Sequence, residues 1–220
     1  MSLKLMLFII FFNYPASFTW QMYYEKPFTI MLNPAGDVKD SGRCLNESFE
    51  RGPTLQFCLE LKKSIEANYI NVRTVLTRLS GEIVEPLQNA NFSNRVQVDF
   101  FLSIHFYKEN QIIPQIYLFN YINKPFFCLP KIEDLYFYRF DDAYLINLDK
   151  TIKYANKIQN SLGKAEYKKI FNFRGLFSMP FKPLIGITAP SIAIEIGLKT
   201  DEWAKYINPV LQSISEIINS

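Results

Sequence analysis

The sequence predicts an α/β fold, in which one domain contains a mostly parallel twisted sheet flanked by helices. Near-continuous apolar runs such as Phe28–Leu32 and Val98–Leu102 are typical of strands that helices cover on both faces. Between these runs, apolar residues recur at helical spacing from Leu55 to Ile65. Strand and helix therefore alternate in a βαβαβ order, which favours parallel strands joined by right-handed crossovers.

The composition agrees with one globular domain and argues against several kinds of function. A chain of 220 residues, 49% of them hydrophobic, can bury one sizeable core. The formal net charge is only +3 and the basic residues form no run, so nucleic-acid binding has little support. Cys44, Cys58 and Cys128 have no Cys-x-x-Cys spacing, which argues against a disulfide scaffold and a thiolate metal site.

Residues 1–19 are predicted to be a signal peptide. Lys4 precedes the unbroken apolar run Leu5–Phe12, and the small residues Ala16 and Ser17 follow it. Eight helical residues cover only about 12 Å, whereas the core of a bilayer is about 30 Å thick. We therefore expect a secreted protein with no membrane span after cleavage. A buried amino-terminal strand is the alternative.

The remaining elements follow from the same patterns. Strands are predicted at 72–76, 112–121 and 191–194, and helices at 84–96, 148–162 and 202–218, the last broken at Pro209. Residues 173–187 should include a short strand or turn. The aromatic segment 123–138 contains two prolines and is predicted to be an irregular insertion or a short lid.

Polar side chains after the central apolar run are the first candidates for a site. Ser103 and His105 follow Val98–Leu102, and open α/β sheets place ligands at the carboxyl ends of their strands. His105 is the only histidine of the chain, so imidazole chemistry at neutral pH depends on it. A lone histidine that caps the strand and bonds to nearby backbone is the alternative.

A series of short motifs carries a family resemblance. In chain order they are Asn33-Pro34-Ala35-Gly36, Glu50 ahead of the first helix, Leu76-Thr77-Arg78, Asn94 shortly before Asp99, Ser103-Ile104-His105 and Ile194-Glu195-Ile196-Gly197. Together they resemble the zinc-dependent N-acetylmuramoyl-L-alanine amidases that trim bacterial peptidoglycan. The resemblance implies a phosphorylase/hydrolase-like α/β fold over residues 27–220, with peptidoglycan as partner and the periplasm or cell wall as location.

The resemblance also implies roles for individual residues. In that family two histidines and a glutamate bind one zinc ion, and a second glutamate is the general base. Glu50 falls on the ligand glutamate, His105 on the second histidine and Glu195 on the catalytic glutamate. A zinc held by three protein ligands can activate a water molecule, and a nearby carboxylate can take its proton. A division or activator protein is a possible partner, and we expect a monomer.

One zinc ligand of the family is missing from this sequence. The family's first loop reads Asp-Pro-Gly-His-Gly-Gly, and Gly36 stands where the histidine belongs. Asp37 is adjacent and is the tentative substitute, although a carboxylate there would bind zinc more weakly. The family's aspartate, a natural supporter of the missing imidazole, is Asn33 here.

Two functions therefore stay open, together with a chance match. The first is hydrolysis of the amide between N-acetylmuramic acid and L-alanine by metal-activated water. The second is a catalytically inactive protein that keeps the fold and binds peptidoglycan or a cell-division partner. Retention of Glu50, His105 and Glu195 favours the first, and Gly36 favours the second. A cytoplasmic α/β protein that matches by chance would require the amino-terminal run to be a core strand.

Overall fold

Six strands form the sheet of this computed structural model, which describes residues 26–85, 87–124, 138–200 and 202–219. The strands are β1 (Phe28–Pro34), β2 (Val72–Leu76), β3 (Phe100–Lys108), β4 (Gln115–Tyr121), β5 (Asn172–Met179) and β6 (Ser191–Leu198). The α-helices are α1 (Arg51–Asn68), α2 (Gln88–Val96), α3 (Leu148–Leu162) and α4 (Ile207–Ile218). Short 3-10 helices span Phe140–Asn147, Ala165–Lys169, Lys182–Leu184 and Trp203–Tyr206.

The strand order is β2-β1-β3-β6-β4-β5, and most neighbours are parallel. β1 is parallel to β2 and β3, β3 to β6, and β4 to β5, whereas β4 is antiparallel to β6. β1, β2, β3 and β6 therefore end at the same edge of the sheet. The predicted single α/β domain with a mostly parallel sheet is confirmed.

Helices and short turns cover the two faces of the sheet. On one face, buried side chains of α1, α3 and α4 pack against alternate residues of the central strands, including Ile104 and Ile194. On the other face, Phe101 and Ala193 pack with Ala90 of α2. Because successive strand residues point to opposite faces, Ser103 and His105 share the second face, away from Ile104.

Several element boundaries differ from the sequence predictions. The helix predicted at 84–96 begins at Gln88, since Leu87 has a left-handed backbone with φ of 60°. β3 and β6 extend to Lys108 and Leu198, so His105 and Glu195 lie within strands rather than at their last residues. Pairing with each other keeps both strands regular past the point where β1 stops.

Pro209 does not break the last helix, contrary to the prediction. It lies in the first turn of α4, where a missing backbone N–H leaves no helical hydrogen bond unmade. The change of helix type comes earlier, where the 3-10 helix Trp203–Tyr206 gives way to α4. Val210, Ile214 and Ile217 recur at helical spacing and are buried.

Two sequence predictions fall outside the described residues: the signal peptide at 1–19 and most of the insertion or lid at 123–138. Among the residues that are described, no helix combines the length and the apolar character needed to cross a membrane.

Candidate functional site

Neighbouring strands place the polar side chains of the site on one face of the sheet. Asn33 of β1 is paired with Ser103 of β3, and His105 of β3 is paired with Glu195 of β6. Paired residues on neighbouring strands point to the same side, and residues two apart share a face. The sheet therefore brings His105 next to Glu195 and Ser103 next to Asn33.

Glu50 reaches His105 from the amino end of α1. Its Oε1 accepts a hydrogen bond from the Phe106 N–H at 3.0 Å and lies 3.4 Å from His105 Nδ1. Its Oε2 accepts from the Arg43 N–H at 3.0 Å. Burial by itself raises the pKa of Glu50, but the contacts with His105 and with the two N–H groups outweigh it, so the pKa lies below its ordinary value. Glu50 is thus a buried, ionised partner of the imidazole.

A hydrogen-bond chain fixes the orientation of the Asn33 amide. Thr77 Oγ1 and Asn89 Nδ2 both donate to Asn33 Oδ1, at 2.8 and 2.9 Å. Since the oxygen receives two donors, the Nδ2 group points the other way and donates to Ser103 Oγ at 2.8 Å.

The same hydrogen-bond chain continues to the imidazole ring of His105. Ser103 Oγ lies 2.8 Å from His105 Nε2 and already accepts a hydrogen bond from Asn33. The Glu50 carboxylate beside Nδ1 can only accept, so a hydrogen on Nδ1 faces Glu50 and Nε2 is left to accept from the Ser103 hydroxyl. Both ring nitrogens have partners inside the protein. The structure therefore differs from the alternative in which the histidine bonds to nearby backbone.

Glu195 forms an ion pair with a residue that sequence reasoning missed. Its Oε1 lies 2.5 Å from Nη2 of Arg43, and the two side chains are 14% and 45% exposed. Arg43 belongs to the loop between β1 and α1, 152 positions from Glu195. No spacing rule connects residues so far apart, so only the folded chain reveals the pair.

Asp37 holds the β1–α1 loop together through its carboxylate. Its Oδ1 accepts from the N–H groups of Lys39 and Asp40 at 2.7 and 2.6 Å, and its Oδ2 from that of Val84 at 2.8 Å. The bond from Asp40 is the largest influence on this carboxyl, and with the other N–H donors it outweighs burial and lowers the pKa. The structure thus uses Asp37 as a loop anchor, and Asp37 also lines a cavity with His105.

Gly36 occupies a position that has little room for a side chain. Its φ is +72°, in the region that favours glycine. A Cβ there would lie 2.9 Å from Arg51 Cβ and 3.1 Å from the carbonyl oxygens of Asp40 and Ser41. A histidine at this position would therefore be strained and crowded.

The donors present do not fit a zinc site of the family's kind. A catalytic zinc takes three protein ligands, and of the predicted donors only Glu50 and His105 are in contact, with 3.4 Å between Oε1 and Nδ1. Within the described ranges, no three His, Cys, Asp or Glu side chains are grouped so as to hold a metal ion. The predicted set of Glu50, His105 and Asp37 stays a prediction without support from this geometry.

Acid is expected to destabilise the protein through Asp37 and Glu50, whose pKa values lie below the ordinary 3.8 and 4.5. Both carboxylates bind protons more weakly in the folded chain than in the unfolded chain. They therefore stabilise the fold above their ordinary pKa values, and this stabilisation is lost as the pH falls through the lowered pKa values. The urea midpoint of unfolding should therefore decrease from about pH 5 to about pH 3. Asp37→Asn should flatten this decrease, and the exposed Glu47→Gln should not. A midpoint that rises toward acid would contradict the expectation.

Comparisons with known proteins assign the family. A profile of the N-acetylmuramoyl-L-alanine amidase family matches residues 30–209. The N-acetylmuramoyl-L-alanine amidase CwlM of Bacillus licheniformis is 36% identical over 76 residues, which are 34% of this chain. The match spans 30% of that relative's length.

Solved structures agree with the fold. The N-acetylmuramoyl-L-alanine amidase from Clostridium difficile 630 has a TM-score of 0.65 at 18% identity, over 89% of this chain and 99% of that one. The CwlD amidase from Clostridioides difficile, solved in complex with the GerS lipoprotein, has a TM-score of 0.53 at 19% identity, over 86% and 92%. The profile spans five of the six strands completely and all the site residues from Asn33 to Glu195. The chain therefore belongs to the N-acetylmuramoyl-L-alanine amidase family.

Proposed function

We propose that this protein binds peptidoglycan at the face of the sheet that carries His105 and Glu195, and that it does not cleave it by zinc-activated water. The observation that carries the proposal is the missing third donor: within the described residues, no group of three His, Cys, Asp or Glu side chains could hold a metal ion. Gly36 supplies no third donor, and a side chain there would meet Arg51. The fold is kept, while the third protein donor that a catalytic zinc needs is not present beside Glu50 and His105 in the described part of the chain.

Hydrolysis of the amide between N-acetylmuramic acid and L-alanine is the second candidate. It is favoured by the register that sets Glu195 beside His105, with Glu50 in contact with the imidazole. In such a reaction Glu195 would take the proton of the attacking water. Arg43 now occupies Glu195 Oε1, so this ion pair would have to open first.

The location and a partner form part of the same proposal. Peptidoglycan lies outside the cytoplasm, so a peptidoglycan-binding protein works in the periplasm or at the cell wall, which is also what the predicted signal peptide implies. The CwlD neighbour was solved in complex with the GerS lipoprotein. By likeness to it, we include a protein partner as a means of bringing this chain to its site.

Isolated sacculi provide the test. The purified protein should sediment with sacculi, release no stem peptide, and behave in the same way with added zinc or with a chelator. Zinc-dependent release of stem peptide that is lost on Glu195→Gln would overturn this proposal in favour of hydrolysis. Failure to sediment with sacculi, with the protein shown to be folded by circular dichroism, would contradict both candidates.

A further inference from the structure

The sheet has two edge strands, β2 and β5, and side chains of α1 block the first. The Thr74 N–H of β2 donates to Glu66 Oε1 at 3.1 Å, and the Thr74 carbonyl accepts from Lys62 Nζ at 2.5 Å. Lys62 and Glu66 also form an ion pair with each other at 2.6 Å. Because the backbone groups of Thr74 are already bonded to charged side chains, another strand cannot pair with them at this edge.

The edge of β5 is open to another strand. The Met179 carbonyl accepts from the Ile122 N–H, so the backbone groups of Met179 and of Phe177 face β4. The backbone groups of Leu176 and Ser178 point the other way, because successive residues of a strand alternate. Within the described ranges, no hydrogen bond joins these outward N–H and carbonyl groups to another residue. Such a row of unpaired groups is a template for a further strand.

Exposed apolar side chains lie along the same edge. Phe177 is 44% exposed and Met179 is 45% exposed. The Phe177 ring lies 5.9 Å from the rings of both Tyr117 and Phe119, so it extends an aromatic row across β4 and β5. Gly175 has φ of +115°, and a Cβ there would meet nothing within 4 Å. The edge of β5 therefore combines unpaired backbone groups with exposed hydrocarbon and open space.

A second copy of β5 supplies the backbone partners that this edge lacks. From Gly175 to Met179 the strand has no charged residue, so a charged strand of another protein would find no opposite charge there. In an antiparallel pairing centred on Phe177, Leu176 of each copy lies opposite Ser178 of the other. The outward N–H and carbonyl groups of these residues then bond to each other in both directions.

The side chains of two copies also fit each other in this register. Phe177 lies opposite Phe177 of the second copy, in a pair whose side chains are close enough for ring contact. Met179 lies opposite Gly175, where there is open space. Arg174, the one charged residue of β5, lies opposite Pro180. No like charges face each other, so nothing in this register opposes the pairing.

We propose that two copies of this protein associate through β5, in an antiparallel pairing centred on Phe177. This inference differs from the monomer that we expect from the sequence. An interface one strand wide is smaller than the roughly 800 Å² per partner of a typical stable complex. The dimer therefore exchanges with the monomer, and its population depends on concentration.

The pairing places both candidate sites on one side of the dimer. A two-fold axis perpendicular to the sheet keeps the same face of each copy on the same side. The Glu195 side chains of the two copies are about five strand spacings of about 4.8 Å apart, or roughly 24 Å. With the proposed binding of peptidoglycan, on which this consequence alone rests, the dimer contacts the polymer at two points and gains apparent affinity.

Sedimentation equilibrium of the purified protein over a concentration series tests the association. A monomer–dimer equilibrium with a dissociation constant below about 1 mM is expected. Ser178→Pro removes an outward N–H from each copy without touching the pairing with β4, so it should raise that constant roughly tenfold. Ser178→Ala is the matched control. It loses the same side-chain bond to Asn120 but keeps the N–H, and it should dimerise like the wild type.

A second variant tests the same edge by a charge. Phe177→Lys sets two lysines opposite each other at the centre of the pairing, and it should also raise the dissociation constant roughly tenfold or more. Ile70→Lys adds the same charge at a fully exposed position between α1 and β2, and it should change nothing. Circular dichroism checks that each variant is folded. If Ser178→Pro does not fold, Phe177→Lys decides the test.

The outcomes separate this inference from the proposed function. A wild-type protein that stays monomeric up to about 1 mM overturns the dimer. A dimer that neither Ser178→Pro nor Phe177→Lys weakens also overturns the proposal, because its interface then lies elsewhere. If the protein dimerises through β5 but does not sediment with sacculi, the dimer stands and the binding of peptidoglycan fails. If it sediments with sacculi as a monomer, the dimer fails and the proposed function stands.

Discussion

Replacing Glu50 with alanine is expected to lower the free energy of unfolding by about 3 kcal/mol. The carboxylate is 3% exposed and satisfies the N–H groups of Arg43 and Phe106 as well as facing His105 Nδ1. β1 pairs with β3 only as far as Ile104, so on that side no neighbouring strand can accept from the Phe106 N–H when Glu50 is removed. Alanine leaves the buried Phe106 N–H without an acceptor and removes the acceptor of the part-buried Arg43 N–H. Equilibrium urea unfolding measures the loss.

Two variants make the Glu50 result interpretable. Glu50→Gln keeps the size and one acceptor oxygen, so its cost should be clearly smaller than that of alanine. Glu47→Ala changes an exposed carboxylate of the same loop and should stay within about 0.5 kcal/mol of the wild type. If Glu50→Ala unfolds at the same urea concentration as Glu47→Ala, the Glu50 contacts do not stabilise the fold as described.

Restoring the family's histidine by Gly36→His is expected to destabilise the protein by about 3 kcal/mol without creating a zinc site. A residue with a side chain at φ +72° is strained by about 1–3 kcal/mol, and overpacking against Arg51 Cβ adds a similar amount. The same strain works against a metal-binding geometry of a histidine at position 36. Added zinc should therefore not raise the thermal midpoint of the variant.

Gly81 is the matched control for Gly36. It also has a positive φ, of +83°, but a Cβ there meets nothing within 4 Å. Gly81→Ala and Gly36→Ala therefore share the backbone strain and differ in the contact with Arg51, and the second should cost more. A zinc-dependent rise of several degrees in the midpoint of Gly36→His would show that one substitution rebuilds the metal site, against our reading of the loop.

Sequence patterns sufficed for the parts of the fold that depend on local periodicity. The apolar run at Phe28–Leu32, the strand Val72–Leu76 and the helix Leu148–Leu162 are where the pattern places them, because burial on a sheet or a helix face leaves a repeat of 2.0 or 3.6 in the chain. The start of α2 at Gln88 and the change from 3-10 to α-helix before Pro209 were not predicted correctly, because the backbone conformation of single residues decides such boundaries.

The sequence also predicted that one ligand is missing, because Gly36 stands at the histidine's place in the first loop. It could not tell what replaced the histidine. Asp37 was a reasonable substitute by chemistry, yet its oxygens face the N–H groups of Lys39, Asp40 and Val84. A carboxylate can bind a metal or accept hydrogen bonds from the backbone of a loop, and the three-dimensional path of the loop determines which of the two it does.

What the sequence by itself determined is the α/β architecture and the family, and it predicted that one zinc ligand is missing. What only the tertiary structure decided is the state of the residues that remain: His105 held between Ser103 and Glu50, and Glu195 paired with Arg43. Periodicity reports which face of an element is buried, whereas these contacts join residues that lie up to 152 positions apart. Contacts across such distances depend on strand register and loop path, and neither is encoded in a local repeat.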